Sequence, residues 1–290
     1  MIELPETFLA MPRWWSGGED WLAGLPRAVD RQCDRWGLEL DGPVAHGSNA
    51  IAVPVSRAGQ PLVLRMSLPG PDLAEHARAL RWWDGRGTVR LYDADVAHGA
   101  LLLERLGSSL LNDPVGESMV VLGRLMRRLA VPAPPDVPST AANVSARAPE
   151  LEPAWQRLGR PFEPTLLTEA LAIAPQLAET SSNLAANGDF HAEQVLRGAR
   201  EPWLVVDPVL YRGDPDCDLA RILWTRVDEM ADGAEIREHL ATLIREAELE
   251  PERARNWVVF RTVDYWLWGL NVGLTEDPER CRRVLDAVTE

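Results

Sequence analysis

The run Asn187-Gly188-Asp189-Phe190-His191-Ala192-Glu193-Gln194-Val195-Leu196, then the turn Arg197 to Pro202, then Trp203-Leu204-Val205-Val206-Asp207-Pro208, decides how the rest of this chain is read. Two short apolar runs, Val195-Leu196 and Trp203 to Val206, flank a polar turn, which is the pattern of a small hairpin. If those strands pair, Asp189, Gln194 and Asp207 come to one end of the hairpin although they are far apart in sequence. Two carboxylates and an amide gathered in this way suit one kind of chemistry. Phosphoryl transfer from a nucleotide needs an acidic group that orients the attacking hydroxyl and takes its proton, and oxygen ligands that hold magnesium against the phosphates. The order Asp, then an amide, then an Asp after a hairpin is that of a protein-kinase-like catalytic loop. A lone carboxylate such as Asp189 is ordinarily a turn residue, but the spacing and the flanking apolar runs favour function here.

The segment resembles the His-Gly-Asp-x-His-x-x-Asn and Ile-Asp-Pro motifs of the aminoglycoside O-phosphotransferases, in particular their streptomycin 6-kinase and hydroxyurea phosphotransferase branch. Val89 to Asp95, Gly99 to Leu106 and Tyr211 to Leu219 are similar to that branch too, so the resemblance covers about residues 45 to 270. It implies an α+β, protein-kinase-like bilobal fold. A nucleotide-binding lobe over residues 1–105 would hold a five-stranded antiparallel sheet with a helix. A mostly helical lobe over 106–290 would carry the catalytic loop and the acceptor pocket. The implied activity is an ATP-dependent (or GTP-dependent) O-phosphotransferase of the antibiotic-resistance type, using Mg2+ and acting on a streptomycin-like or other small hydroxylated cation.

The same resemblance assigns roles. Asp189 is the base, Asp207 the principal metal carboxylate, and Gln194 stands where the family has a magnesium-binding asparagine. Asn187 replaces a histidine that scaffolds the loop, and His191 is read as structural. Asp214 and Asp218 belong to an element that tethers the catalytic loop to the next helix, as hydrogen-bond acceptors. Ser48 and Asn49 lie in the phosphate-covering turn His46 to Asn49. Arg65 occupies the position of a phosphate-contacting lysine, where a planar fork is not equivalent to a point charge. The family pairs that cation with a helix glutamate; the register leaves Glu75 or His76 to face Arg65, with Glu75 the sensible partner chemically. Glu104 and Leu106 fall at the hinge, where backbone groups meet the adenine edge. Asp264, Trp268, Asn271 and Glu276, on or just after one helix, are candidates for the acceptor pocket, since acidic groups with an aromatic wall suit a guanidinium or ammonium.

Hydrophobic patterning supplies the rest of the layout. Residues 19 to 37 have helical periodicity interrupted by Pro26. Leu38 to Ala45, Ala50 to Val55 and Leu62 to Ser67 read as antiparallel strands, with Pro54 marking an edge strand or a bulge. A helix over Pro71 to Trp83 and strands over Val89 to Tyr92 and Ala100 to Leu103 complete the first part. Helices follow at Val115 to Leu129 and, after the proline-rich connector Val131 to Pro138 and a helix-rich insert over 139–163, at Thr165 to Leu184. The last helices are expected near Leu219 to Met230, Glu235 to Glu246, Pro251 to Leu270 and Pro278 to Val288.

Composition bounds the remaining possibilities. A 46% apolar chain of 290 residues can bury a core, and no window reaches a membrane span. Glu3, Pro5 and Glu6 do not fit a signal peptide, so a soluble, cytoplasmic protein is expected. Three widely spaced cysteines argue against a disulfide framework or a zinc site. The net charge of −14 argues against a nucleic-acid partner and favours a small cationic one, although acidity that merely keeps the protein soluble is the plainer reading of composition alone; a monomer or weak dimer is expected. Most of the twelve tryptophans, including the pairs Trp14-Trp15 and Trp82-Trp83, are expected in packing. Departures from the family pattern at Arg65, Asn187 and Gln194 leave a second reading, a degenerate kinase-fold protein that binds nucleotide or ligand without efficient transfer. A kinase for an unrelated metabolic alcohol is a third.

Overall fold

The structure, a computed structural model, describes residues 2–11, 18–180 and 182–289; the pair Trp14-Trp15 lies outside the described residues. The chain divides into two compact units. The first runs to Gly107 and includes Gly198–Arg200; the second comprises Ser108–Arg197 and the chain from Glu201 onward.

The first unit contains α1 (Glu6–Ala10), α2 (Gly18–Trp36), β1 (Glu39–Leu40), β2 (Ala45–His46), β3 (Ala50–Arg57), β4 (Gln60–Ser67), α3 (Pro71–Trp83), β5 (Leu91–Asp95) and β6 (Ala100–Glu104). The strands form one antiparallel sheet in the order β1-β3-β4-β6-β5, with β2 also paired to β3. The single first strand expected over Leu38 to Ala45 is therefore split in two. Pro54 explains the split. It sits inside β3, between the residues that pair with β1 (Val55, Ser56) and those that pair with β2 (Ala52, Ile51), and it has no N–H to offer a continuous ladder. The chain opposite it leaves the ladder, turning at Gly42 (φ 146°), and is held by Asp41, whose N donates to Pro54 O at 2.9 Å and whose carboxylate pairs with Arg105 at 2.8 Å. Pro54 thus marks neither an edge strand nor a bulge but the point where one neighbouring ladder opens.

Alternation along the central strands fixes which side chains are free for chemistry. Ile51, Val53 and Val55 of β3 and Leu62, Leu64 and Met66 of β4 are buried with Leu25, Val29 and Cys33 of α2 in one cluster. Burying each such side chain contributes roughly 1.5–3 kcal/mol, so a one-residue slip of register is strongly disfavoured. Period two then puts Arg65 on the face of β4 opposite the cluster. α2 runs unbroken through Pro26.

The second unit contains α4 (Val115–Leu129), α5 (Thr140–Arg157), α6 (Pro164–Ala178), β7 (Leu184–Asn187), β8 (Val195–Arg197), β9 (Trp203–Val205), β10 (Leu210–Gly213), α7 (Leu219–Trp224), α8 (Gly233–Ala247), α9 (Pro251–Asn271) and α10 (Glu276–Thr289). α9 buries residues on all sides, Trp257, Val258, Val259, Phe260, Val263 and Leu267 among them, which is the signature of a central helix. The helix expected to reach Leu184 stops at Ala178, and β7 instead pairs antiparallel with β10, Asn187 opposite Leu210 and Leu184 opposite Gly213. β10 brings the chain directly to the anchor Asp214. The helix expected over Leu219 to Met230 ends at Trp224, followed by a single tight turn at Val227–Glu229. Among the described residues no helix is long and apolar enough to cross a membrane.

Candidate active site

β7 and the β8–β9 hairpin deliver the catalytic loop. The ladder pairs Val195 with Val205, and Val206 N donates to Gln194 O at 2.9 Å, so Gln194 stands across from the residue before Asp207. Gln194 Nε2 donates to Asp189 Oδ2 at 3.0 Å. Its other amide atom, Oε1, is buried and accepts no hydrogen bond among the described residues. Leaving a buried acceptor unmade costs on the order of 1–3 kcal/mol, which is the signature of an atom kept for a partner outside the protein. A fixed amide oxygen next to a carboxylate suits magnesium, which is bound by one or two carboxylates and substrate phosphates rather than by a dedicated cage. Among the described residues no group of three His, Cys, Asp or Glu side chains converges.

The loop is held by groups that do not face this oxygen. Asn187 Oδ1 accepts from Val209 N at 2.9 Å and from Asp189 N at 3.4 Å, so the asparagine scaffolds the loop in place of a histidine. Asp218, 2% exposed, accepts from Asn187 N at 3.1 Å and Phe190 N at 3.4 Å. Asp214 accepts from Thr180 Oγ1 at 2.6 Å, Trp257 Nε1 at 2.9 Å and Arg253 Nε at 2.9 Å. Both aspartates are hydrogen-bond anchors. Gly188 has no room for a side chain, because a Cβ there would lie 2.4 Å from the Tyr211 ring.

Electrostatics separate the loop's titratable groups. Burial raises the carboxyl pKa of Asp189 above its ordinary range, the charge of Arg221 pulls it back, and the negative charge of Asp207 raises it again. Arg221 Nε lies 2.6 Å from Asp189 Oδ1, but its N–H is not aligned as a hydrogen bond to that oxygen. Asp189 therefore has more proton affinity than a solvated carboxylate, with Arg221 limiting the rise. His191 is buried, and burial first and Arg221 second push its pKa down to about 3. It is a neutral imidazole near neutral pH, unsuited to giving or taking the transferred proton.

The remaining nucleotide-side candidates lie in the first unit. Gly47 N donates to Ala50 O at 3.0 Å, which leaves Ser48 and Asn49 as the exposed two-residue tip of the β2–β3 hairpin. Arg65 Nη1 donates to Ser67 Oγ at 3.1 Å. Glu75 does not partner Arg65. It is on the solvent side of α3, its side chain 63% exposed and 3.8 Å from Arg78, while the helix turns His76 inward. The apolar positions Leu73, Ala77 and Leu80 set that face, and Glu75 falls off it. At the end of β6, Glu104 N donates to Arg90 O, and its carboxylate accepts from Arg90 N at 3.2 Å and Arg200 Nη2 at 3.0 Å. Leu106 follows two residues later, partly exposed.

The expected acceptor residues do not converge. Asp264 Oδ1 accepts from Arg147 Nε at 2.9 Å and Nη2 at 2.8 Å, so its charge is already offset by α5. Asn271 ends α9 in solvent, and Glu276, 80% exposed, opens α10 with Arg280 at 3.4 Å. Trp268 is 47% exposed and stacks on Tyr265 at 5.2 Å, which stacks on Trp224 at 4.3 Å. The recess next to the catalytic loop is lined instead by Thr140, Asn143, Gly188, Tyr211, Trp257 and Arg261. Sequence reasoning missed Arg221 and Arg261 because it searched the helical region for acidic groups to meet a cation. The signal available was position: Arg221 lies one turn past the loop anchor Asp218, and Arg261 one turn past Trp257 on α9.

Residues 35–273 match the model of a family described as aminoglycoside/hydroxyurea antibiotic resistance kinases. The chain is 36% identical over 272 residues to a streptomycin 6-kinase of Streptomyces griseus, covering 90% of this chain and 89% of that protein. It is 35% identical over 292 residues to a hydroxyurea phosphotransferase of Kitasatospora aureofaciens, covering 97% and 84%. In fold it is similar to a thermostable mutant of aminoglycoside phosphotransferase APH(4)-Ia in ternary complex with ADP and hygromycin B (TM-score 0.63, 17% identity, 90% and 97% of the two chains). It is similar also to choline kinase LicA from Streptococcus pneumoniae (TM-score 0.59, 10% identity, 91% and 99% of the two chains).

Proposed function

The chain belongs to the aminoglycoside/hydroxyurea antibiotic resistance kinases, and from that premise we propose that it moves the γ-phosphoryl group of ATP to a hydroxyl of a streptomycin-type acceptor with Asp189 as the base. It is a phosphotransferase with an alcohol group as acceptor, ATP-dependent and of antibiotic-resistance type. The observation that carries the site assignment is the meeting of Asp189 with Gln194, whose Oε1 is buried and unclaimed, beside Asp207.

In this mechanism Asp189 accepts a hydrogen bond from the acceptor hydroxyl and takes its proton as the hydroxyl oxygen bonds to the γ-phosphorus. The bond from that phosphorus to the bridging oxygen breaks, and ADP leaves. The raised proton affinity of Asp189 suits it to this task, and the charge of Arg221 favours its ionised form against burial. Gln194 Oε1 and Asp207 would hold Mg2+, which when bound neutralises phosphate charge. In the first unit, the backbone amides and side chains of Ser48 and Asn49 and the guanidinium of Arg65 would contact the phosphates, with Glu104 and Leu106 offering backbone groups to the base. Residues 1–105 thus act as the nucleotide lobe and 106–290 as the catalytic and acceptor lobe. The protein would act as a monomer or weak dimer in the cytoplasm, where ATP is supplied. Scaffolding by Asn187 and the open oxygen of Gln194 weigh against a degenerate, non-transferring protein.

The test is transfer from ATP to streptomycin, with and without Mg2+, by the wild type and Asp189→Asn. The variant is expected to lose about 10²–10⁴ of kcat while still being stabilised by Mg-ATP in thermal unfolding. Undiminished transfer by Asp189→Asn would remove Asp189 from the mechanism.

A further inference from the structure

Arg261 stands out among the charged groups of the second unit. It lines the recess beside Gly188, and its Nε is buried with no hydrogen-bond partner among the described residues. Its positive charge is the main attraction on the buried Asp218 carboxyl and a weaker one on Asp189, while its Nε–H has no acceptor among the described residues. Arg221, on α7, meets the same base at 2.6 Å and lies 5.9 Å from the Tyr265 ring centroid. The base is thus contacted by Arg221 and the Gln194 amide and lies in the fields of Asp207 and, more weakly, Arg261.

This charge pattern bears on the acceptor. A buried Arg261 Nε–H left without an acceptor is unfavourable unless a ligand supplies oxygen. Placed against the Arg261 guanidinium itself, a guanidinium or ammonium of the acceptor would meet a like charge at close range, whereas a neutral oxygen there can accept its N–H. The other polar groups of the recess, Thr140 and Asn143, hydrogen-bond equally well to neutral oxygens, and Trp257 and Tyr211 give it flat walls.

We infer that Arg261 is an acceptor-binding residue that donates to neutral oxygens of the acceptor, ring hydroxyls or a carbonyl adjoining the hydroxyl that is phosphorylated. Arg221 enforces the same choice by occupying the cationic position beside Asp189. The uncharged, oxygen-rich part of the acceptor faces the base, and its cationic groups point away. This assignment rests on the phosphotransferase reading above and specifies which part of the substrate that site takes.

The experiment is steady-state transfer from Mg-ATP to streptomycin, and to hydroxyurea as a small neutral acceptor, by the wild type, Arg261→Met and Arg261→Lys. Arg261→Met is expected to raise the acceptor KM about 10- to 100-fold and leave the Mg-ATP KM within about twofold, and Arg261→Lys to recover part of the loss. An unchanged acceptor KM in Arg261→Met overturns the inference. So does a fall in kcat alone, since the guanidinium would then serve the phosphoryl group. If thermal unfolding shows that Arg261→Met is not folded, Asn143→Leu decides, because added bulk in the recess must raise the acceptor KM and an unchanged value overturns the assignment. A wild type that binds Mg-ATP but phosphorylates neither acceptor defeats the function assigned above and this inference with it. Wild-type transfer matched by Arg261→Met defeats the inference alone.

Discussion

The catalytic loop and the α9–α10 face carry similar residues, and they use them in opposite ways. In the loop, carboxylates and amides are anchored through backbone and side-chain donors that leave particular atoms open. Asp218 and Asn187 hold the main chain, Gln194 is pinned by its nitrogen, and its oxygen stays unclaimed. On α9–α10 the charges cancel in pairs, Asp264 with Arg147 and Glu276 with Arg280, while Arg280 also holds Asp277 at 3.0 Å. The α9–α10 carboxylates take their hydrogen bonds from arginines, whereas Asp189, though Arg221 stands 2.6 Å away, takes its hydrogen bond from the Gln194 amide. The type of residue does not distinguish the two cases, but the partner does.

Gln194 gives the sharpest test of that contrast. Gln194→Leu removes the open oxygen together with the donor to Asp189. Apparent magnesium affinity, read from the dependence of transfer rate on Mg2+ at fixed ATP, should fall by at least the roughly 10- to 100-fold lost when a supporting partner of a metal ligand is removed. Stability without metal should be unchanged or higher, because the buried acceptor that nothing satisfied is gone. If the variant loses stability and keeps its magnesium dependence, the amide is packing and the loop is no different from the helical face.

The loop was legible in the sequence because its elements are short and local. Val195-Leu196 and Trp203 to Val206 are separate apolar runs, and pairing them fixes where Gln194 and Asp207 end up whatever the rest of the chain does. β7 and β10 were not legible. Leu184-Ala185-Ala186-Asn187 continues an alanine-rich helical composition, and only the long-range ladder to Leu210–Gly213 makes it a strand. The orientation of Glu75 and the pairing of Asp264 failed for a related reason. Each depends on which arginine is within reach, Arg78 one turn away or Arg147 on another helix, and periodicity carries no information about ion-pair partners. Pro54 was noticed but misread, because its effect depends on β3 having neighbours on both sides.

Acid separates the two regions by a smaller margin. His191 titrates near 3 in the folded loop against an ordinary value of 6.5, so the unfolded chain takes up its proton first as pH falls. Its contribution is complete above about pH 6.5 and is lost progressively toward about pH 3, reaching on the order of 2 kcal/mol at pH 5. His191→Asn should therefore flatten the decline of stability across that window in urea unfolding. An equally steep decline in the variant would show that the imidazole is hydrated and that the loop is less buried than the structure has it.

The helical face should yield the smallest effects, and their smallness is itself a test. Asp264→Asn weakens one pair with Arg147, whose side chain is 39% exposed, so the loss in stability should be no more than about 1 kcal/mol. Glu276, 80% exposed, should matter less still. If both carboxylates are structural, Asp264→Asn and Glu276→Gln should leave the streptomycin KM within about threefold, less than the ~1.4 kcal/mol that a tenfold change represents. A tenfold or larger rise in either variant would mean that the acceptor's cationic groups displace an arginine to reach its carboxylate. The ion pairs of α9–α10 would then be the resting state of a binding surface, and the distinction between the two regions would hold only before substrate arrives.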